Sequence, residues 1–478
     1  MFAACAIALA LAPSPVPGAT PATPPGVPPE GPKLPPAQPL AVSIDNGPPK
    51  PELPEATVPV TPPAGRRFRK RQRRQRDNRH RLLPLPHLSS QPATGLTLGG
   101  SLNYAYRLPN DNFNRVYGLA WSRVSTKLVQ DHILSARMRD MLGRREIFNF
   151  GFWASLDPVY PFYGVNNHGT ITPAELQSPY NLIRMDNWGG WFTFEHPLYT
   201  VERPGRSPGT LRHYSGIFYY VDIVRGYANS RLVEQYPSAE GTTRRGIVRL
   251  GLTWDSRDND WSPTEGSLID VTFDAAGKWT GSTSNWGRFH TTVRHYWSLG
   301  QSKVVLAHRF TFDSLWGEPP LMTLGEFGGL FPMDAYGGAF VGRGFGRRRF
   351  IGKQKATASF ELRFAPVEFK IRRHTLGVGL ELFVEAGLVS QTMTDLLKHW
   401  YVSGGPGLLL IWDRFVVFRV EGGFGKEGGA LYLQSEHAFE DMSRRTCQGK
   451  PVLERVPAPR VGRRAAGCSA AARTVRRA

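Results

Sequence analysis

Cysteine is scarce. Only Cys5, Cys447 and Cys468 occur in 478 residues, and the stretch 82–439 has none. That excludes a disulfide framework. It fits an envelope protein made without disulfides, and equally a cytosolic one. Long apolar runs are also missing. No window offers about eighteen uninterrupted apolar residues, so no transmembrane helix is predicted. Catalytic signatures are absent as well: there is no Gly-x-Ser-x-Gly and no His-Glu-x-x-His. The twelve histidines are scattered, and His168, His290 and His295 show no metal-ligand spacing. The expectation is a protein that is not an enzyme and has no cofactor or metal. A hydrolytic site assembled across distant strands is the remaining enzymatic alternative.

What is present in excess is positive charge, +20 in all. That invites a nucleic-acid reading, but its location argues otherwise. Residues 66–81 carry +9 and residues 440–478 carry +7, while residues 1–65 carry −2, leaving the body at +6. Charge runs in tails are solvated or touch anionic surfaces, and no nucleic-acid partner is expected. The run at 66–81 reads as a plain linker, or as a dock on anionic lipid or a periplasmic partner.

The chain therefore divides by composition. The start, "MFAACAIALALAPSPVPGATPA", has a short apolar core and small residues, and reads as a signal peptide over 1–22 without its positive n-region. A disordered apolar N-terminus is the alternative. Residues 23–81 are Pro-rich, then basic, and cannot bury enough apolar surface to fold. Residues 440–478 are a basic, Arg/Ala-rich tail without strand pattern, also expected to be disordered.

Between them, residues 82–439 alternate with period two. Val248, Leu250, Leu252 and Trp254 share one face, and Arg249, Gly251, Thr253 and Asp255 the other. In "KATASFELRF" Ala356, Ala358, Phe360, Leu362 and Phe364 oppose Thr357, Ser359, Glu361 and Arg363. In "GLELFVEAG" Leu380, Leu382, Val384 and Ala386 oppose Glu381, Phe383, Glu385 and Gly387; further on, Val416, Phe418 and Val420 oppose Arg419 and Glu421. Such faces suit a soluble sandwich or a membrane barrel with a polar lumen. The charged polar faces and the strand lengths, near the roughly 9–11 residues that a tilted strand needs to span a bilayer, favour the barrel. Closure is then obligatory, since open edges in lipid leave amides unpaired. The predicted fold is all-β: a transmembrane antiparallel β-barrel of about sixteen strands. Five strands follow residue 353, near 354–365, 375–389, 400–412, 414–425 and 429–439.

"GGAFVGRGFGRRRFIG", residues 337–352, precedes those five. No Gly-Lys-Ser/Thr follows its glycines, so it is not a Walker loop. The acidic "WDSRDNDWSPTEGS" (254–267) lacks EF-hand spacing and reads as an inter-strand turn built on Pro263 and Gly266.

"FVGRGFGRRRFIG", "ASFELRF" and "LFVEAGLV", in that order, resemble the outer-membrane assembly and secretion barrels of the BamA/TamA type, also called the bacterial surface antigen family. "GIVRLGLTWDSRDNDWSPTEGSLIDVTF" (246–273), "YPFYGVNNHG" (160–169) and "LPLPHLSSQPATGLTLGG" (83–100) agree, the last with the start of the family's barrel. "VSGGPGLLL" and "KEGGALYLQSEHAF" complete the order, so the resemblance spans about 83–439. It implies that Arg343, Gly344 and Phe345 form the family's lumen-loop motif, with Arg343 paired to the carboxylates Glu361 and Glu385. It implies a C-terminal targeting strand marked by Gly428, Leu431, Leu433 and Phe439. It also implies an outer-membrane location in a Gram-negative bacterium, with lipid and lipopolysaccharide around the barrel, and a role in inserting or translocating client polypeptides with periplasmic accessory proteins. A lateral seam between a first strand near 95–106 and a last at 430–439 would admit the client. A structural barrel or passive pore is the alternative.

Departures from the family pattern are visible. Gly342 stands where the family has a branched apolar residue, and Glu385 where Asp is common. The region before 82 shows no POTRA pattern. Arg347, Arg348 and Arg349 are surplus to the motif and are expected to face water or lipopolysaccharide phosphates; Arg348→Ala is expected to do little.

Overall fold

The period-two faces become strands that turn their apolar side outward. In the computed structural model of the chain, residues 80–434 are described, apart from 107–114, 144, 204–205, 259–262, 300–303, 331, 372–373 and 413–415. Leu380, Leu382 and Val384 are 58%, 52% and 56% exposed, whereas Glu381 and Glu385 between them are 1% and 0% exposed. A soluble sandwich would bury the leucines and wet the glutamates. The inverse arrangement is that of a barrel in lipid with its charges inside. No described helix is long and apolar enough to cross a membrane; the strands do the crossing.

Sixteen strands close into one antiparallel barrel. Eleven precede the Gly/Arg loop, from β1 (His80–Gln91) and β2 (Gly95–Tyr106) through β5 (Ile147–Pro161) and β8 (Gly241–Asp255) to β11 (Val304–Gly317). A two-stranded hairpin, β12 (Glu326–Phe327) with β13 (Met333–Asp334), lies within that loop and outside the barrel sheet. Five strands follow: β14 (Gln354–Ile371), β15 (His374–Ser390), β16 (Trp400–Trp412), β17 (Val416–Gly425) and β18 (Gly428–Gln434). Alternation of direction places the connections 162–181, 318–353 and 391–399 at one end, with the first described residue of β1 and the last of β18 at the other.

The first strand is not the one expected. It is His80–Gln91, paired with β2 over twelve consecutive residue pairs, rather than Gly95–Tyr106. Pro84 and Pro86 disguise it. Proline supplies no ladder donor and is tolerated in a sheet chiefly on an edge. The seam that closes the barrel is thus β1 against β18, and a single register pair, Ser90 with Leu433, joins them among the described residues. The expected signal peptide, the Pro-rich segment, the C-terminal tail and Phe439 lie outside the described residues. Where the acidic stretch is described, Asp258 accepts from the Thr264 and Glu265 backbone amides at 2.9 and 3.1 Å.

Candidate functional site

The loop between β11 and β14 does not extend away from the barrel; it folds inside. Its apolar residues supply the reason. Phe327, Met333, Tyr336, Val341, Phe345 and Phe350 bury together against Val389 of β15. Phe345 meets Phe350 edge-on at 5.3 Å between ring centres, and Phe350 stacks on Tyr401 of β16 at 3.5 Å. Removing so much aromatic surface from water anchors the loop without any charged contact.

Glycine then permits an approach that no other residue allows. Gly344 has φ +109°, and a Cβ there would lie 2.7 Å from the carbonyl carbon of Phe424. Gly423 on β17 is the reciprocal: a Cβ there would lie 2.6 Å from the carbonyl carbon of Arg343. Loop and wall meet backbone to backbone. The Gly344 amide donates to the Tyr432 hydroxyl of β18 at 3.0 Å, so the motif is held by the last strand as well.

That approach delivers Arg343, fully buried, into a cage of four carboxylates. Its Nη2 lies 2.9 Å from Glu361 and 3.1 Å from Glu385; its Nη1 lies 3.1 Å from Glu381 and 2.5 Å from Glu421. Its backbone amide donates to the other oxygen of Glu385 at 2.8 Å. The guanidinium also sits 3.5 Å from the centre of the Phe383 ring, a cation–π contact from the residue between Glu381 and Glu385 on the inward face of β15. Burial works against the charge of Arg343, but Glu385, Glu421, Glu361 and Glu381 outweigh it and hold its pKa well above the ordinary arginine value. Four glutamates around one cation would repel one another. Two further arginines answer that: Arg363 binds Glu361 through Nε at 2.9 Å and approaches Glu381 at 3.8 Å, and Arg419 pairs with Glu421. The cage is three arginines against four glutamates, drawn from the loop, β14, β15 and β17.

The family resemblance implied Arg343 with Glu361 and Glu385 and left out Glu381 and Glu421. Both missing residues already stood on the inward faces of their strands, so parity was the available signal. Of the last-strand residues, Gly428 turns with φ +129°, and Leu431 is exposed on the outer face.

The reading of Arg347, Arg348 and Arg349 as solvent- or lipopolysaccharide-facing is overturned. Arg348 and Arg349 are 2% and 0% exposed. Arg347 binds Asp157 at 2.7 Å and Asp334 at 3.1 Å. Arg348 binds Asp334 at 2.7 Å, donates to the Tyr160 hydroxyl and lies over the Tyr160 ring at 4.6 Å. Arg349 binds Glu427 at 2.7 Å and donates to the Asn167 carbonyl at 3.0 Å and to the Gly169 carbonyl. A buried guanidinium requires such partners. Together the three arginines staple the lumen loop to the 160–169 segment and to the turn before β18.

Further buried ion pairs line the lumen beyond the cage, and only the inward parity of Arg249 hinted at them in the sequence. Arg249 pairs with Asp274 at 2.6 Å, and Arg245 with Asp222 at 2.6 Å and with Glu326 of the loop hairpin at 3.3 Å. Lys355 reaches Asp313 at 3.0 Å, and the same aspartate accepts from His290. No cluster among the described residues has the make-up of a metal site.

Comparison with known proteins adds to this geometry. Residues 200–412 match the Omp85 superfamily domain. No curated protein sequence matches the chain. Among solved structures, it is similar to BamA from Haemophilus ducreyi lacking POTRA domains 1–3, with TM-score 0.50 and 14% identity over 75% of this chain and 70% of that one. It is also similar to CdiB from Acinetobacter baumannii (TM-score 0.45, 11% identity, 74% of this chain and 59% of that one) and CdiB from Escherichia coli (0.46, 11%, 74% and 63%). The chain therefore spans less than two thirds of either CdiB chain. The likeness to the BamA structure concerns the fold.

Proposed function

Residues 200–412 are an Omp85 superfamily domain, and from that premise we propose that this barrel inserts, assembles or translocates other polypeptides at the outer membrane of a Gram-negative bacterium. The observation that carries the reading is the docking of Arg343 on Glu361, Glu381, Glu385 and Glu421. That lock ties β14, β15 and β17 together through one loop residue. The place left to yield is the β1–β18 seam, joined by one register pair among the described residues. A seam of that kind can part in the plane of the membrane and offer main-chain edges to an incoming strand. No bond is made or broken in a client on this reading. Lipid surrounds the barrel, and periplasmic accessory proteins would deliver the client.

Depletion tests it. Loss of the protein should leave one or more outer-membrane or secreted polypeptides unfolded in the periplasm, and the purified barrel should show little steady conductance in planar bilayers. Steady open conductance without any client defect would instead make it a passive pore.

A further inference from the structure

The lumen of a membrane barrel is expected to be polar, with apolar residues turned to lipid. One part of this lumen departs from that rule. Trp121 of β3 (Val116–Ser125), Trp153 of β5, Trp191 of β6 (Leu182–Val201), Phe218 and Tyr220 of β7 (Gly209–Gly226) and Trp286 of β10 (Trp286–Leu299) all line one internal cavity. Their chain neighbours face outward: Phe192 is 47% and Ile217 61% exposed, against 6% for Trp191 and 5% for Phe218. Glu326, Arg347 and Arg348 of the lumen loop border the same cavity. With its opening included it measures about 1200 Å³, ample beside the roughly 300–1,000 Å³ of ordinary small-molecule sites. Trp153 and Tyr220 are only partly buried in the aromatic cluster.

Charge around the cavity is already balanced. Arg123 meets Asp131 at 2.7 Å and Arg288 meets Asp313 at 3.5 Å, and the other lining arginines, Arg245, Arg249, Arg347 and Arg348, have the carboxylate partners given above. Among the described lining residues, no arginine is left to recruit an anion, so a neutral ligand fits best. Polar atoms are left over instead. The indole N–H groups of Trp191 and Trp286 and the side-chain carbonyl of Asn187, all from lining residues, have no hydrogen-bond partner among the described residues. A hydrocarbon would leave them unmet, and a buried group so left is costly. A hydroxyl serves both kinds, since it donates and accepts. Asp131, Asp157 and Glu326 add carboxylates to the same lining.

We infer that this cavity binds a neutral saccharide. The C–H faces of a sugar ring pack on flat aromatic surface, here that of Trp153 and Tyr220. Its hydroxyls supply acceptors for the two indole N–H groups, a donor for the Asn187 carbonyl, and donors for the spare lone pairs of the ion-paired carboxylates. The bound sugar touches the wall from β3 to β10 and the lumen loop at once, so it holds the two together. The site lies apart from the Arg343 cage and goes beyond the polypeptide-handling role proposed above; failure of either reading leaves the other standing.

The test uses the full chain in phosphatidylcholine nanodiscs prepared without glycoside detergent. The probes are maltotriose, cellobiose and N,N′-diacetylchitobiose, titrated up to millimolar concentration and followed by calorimetry and tryptophan fluorescence. At least one should bind saturably and raise the temperature at which the barrel unfolds. Trp191→Phe keeps a ring but removes the N–H, and should weaken that binding about two- to tenfold, the worth of one hydrogen bond. Trp153→Leu keeps apolar surface but removes the flat ring, and should weaken it at least as much. Retained heat-modifiability shows that each variant is folded. Saturable binding that both variants leave unchanged puts the sugar elsewhere and overturns the assignment. So does tighter binding of dodecanoate than of every sugar, which would make the site one for an anionic amphiphile. No binding of any of the three sugars to the folded parent overturns it as well.

Discussion

Arg343 and Arg363 share one carboxylate, Glu361. Nη2 of Arg343 is 2.9 Å from Oε1, and Nε of Arg363 is 2.9 Å from Oε2. The lock is thus a network rather than a single pair: Glu361, Glu381 and Glu421 each meet two arginines. Its behaviour on mutation follows from what is left behind.

Arg343→Ala leaves four buried glutamates with two arginines. Breaking a buried ionic arrangement by removing one partner costs about 3–5 kcal/mol. The expected result is a lower temperature for the gel-mobility shift that marks barrel unfolding, and faster proteolysis of the loop. Arg343→Lys keeps the charge but cannot fork between carboxylates, and should fall between the two. Wild-type heat-modifiability in Arg343→Ala would show that the cage does not hold the loop.

Arg348→Ala should also be felt, against the simpler expectation for an arginine surplus to the motif. Its loss removes the ion pair to Asp334 and the stacking on Tyr160, but Arg347 still neutralises Asp334. A cost of about 1–3 kcal/mol is expected, smaller than for Arg343. Asp334→Asn strips both arginines of a partner and should cost more than Arg348→Ala. Equilibrium urea unfolding in detergent, read by tryptophan fluorescence, ranks the three.

Gly344→Ala tests the close approach rather than the charge. The new methyl would lie 2.7 Å from the Phe424 carbonyl carbon and 2.8 Å from the Gly425 nitrogen, on a backbone with φ +109°. Neither contact can relax without moving β17 or the loop. The variant should release the loop while keeping every cage residue, giving protease cleavage within 337–352 and a rise in channel conductance. An intact, protease-resistant loop would remove the backbone contact from the account.

The fold was legible because lipid outside and charge inside impose period two on strand after strand: Leu250 and Arg249, Leu382 and Glu381 each read correctly by parity. The candidate site was legible only in part. Glu381 and Glu421 faced inward on inspection, but nothing in a linear pattern says which three strands curve round one guanidinium. Arg347 and Arg349 looked surplus because their partners Asp157 and Glu427 lie far off in the chain, and closure of the barrel is what brings them near. β1 was hidden by Pro84 and Pro86, since a propensity argument sees a strand breaker where the fold has an edge.

Acid should loosen the loop end. His168 bonds Tyr401 and Asn166 and stacks on His399 at 3.8 Å between ring centres. Burial, then the His399 ring, then Arg349 hold its imidazole below the ordinary histidine value. A depressed value means that the folded state favours the neutral ring. The associated stability is present above the ordinary pKa of about 6.5 and is lost as pH falls from there through the depressed value. Proteolysis of the 162–181 and 391–399 loops should accelerate over that window, and His168→Gln should flatten the dependence. A pH profile unchanged by His168→Gln would assign the effect elsewhere.

The seam offers the sharpest functional test. Ser90 and Leu433 are register partners, so their Cα atoms lie about 4.5–5.5 Å apart, within the span of a disulfide. Ser90→Cys with Leu433→Cys should form a bond under oxidising conditions and close the seam covalently while leaving the Arg343 cage untouched. If polypeptides pass or pair at the seam, the locked barrel should lose its activity towards them and regain it on reduction, while each single variant behaves as the parent. A locked barrel that works as well as the reduced one would move the site of action away from β1 and β18 and into the lumen, where the Arg343 cage would have to open instead.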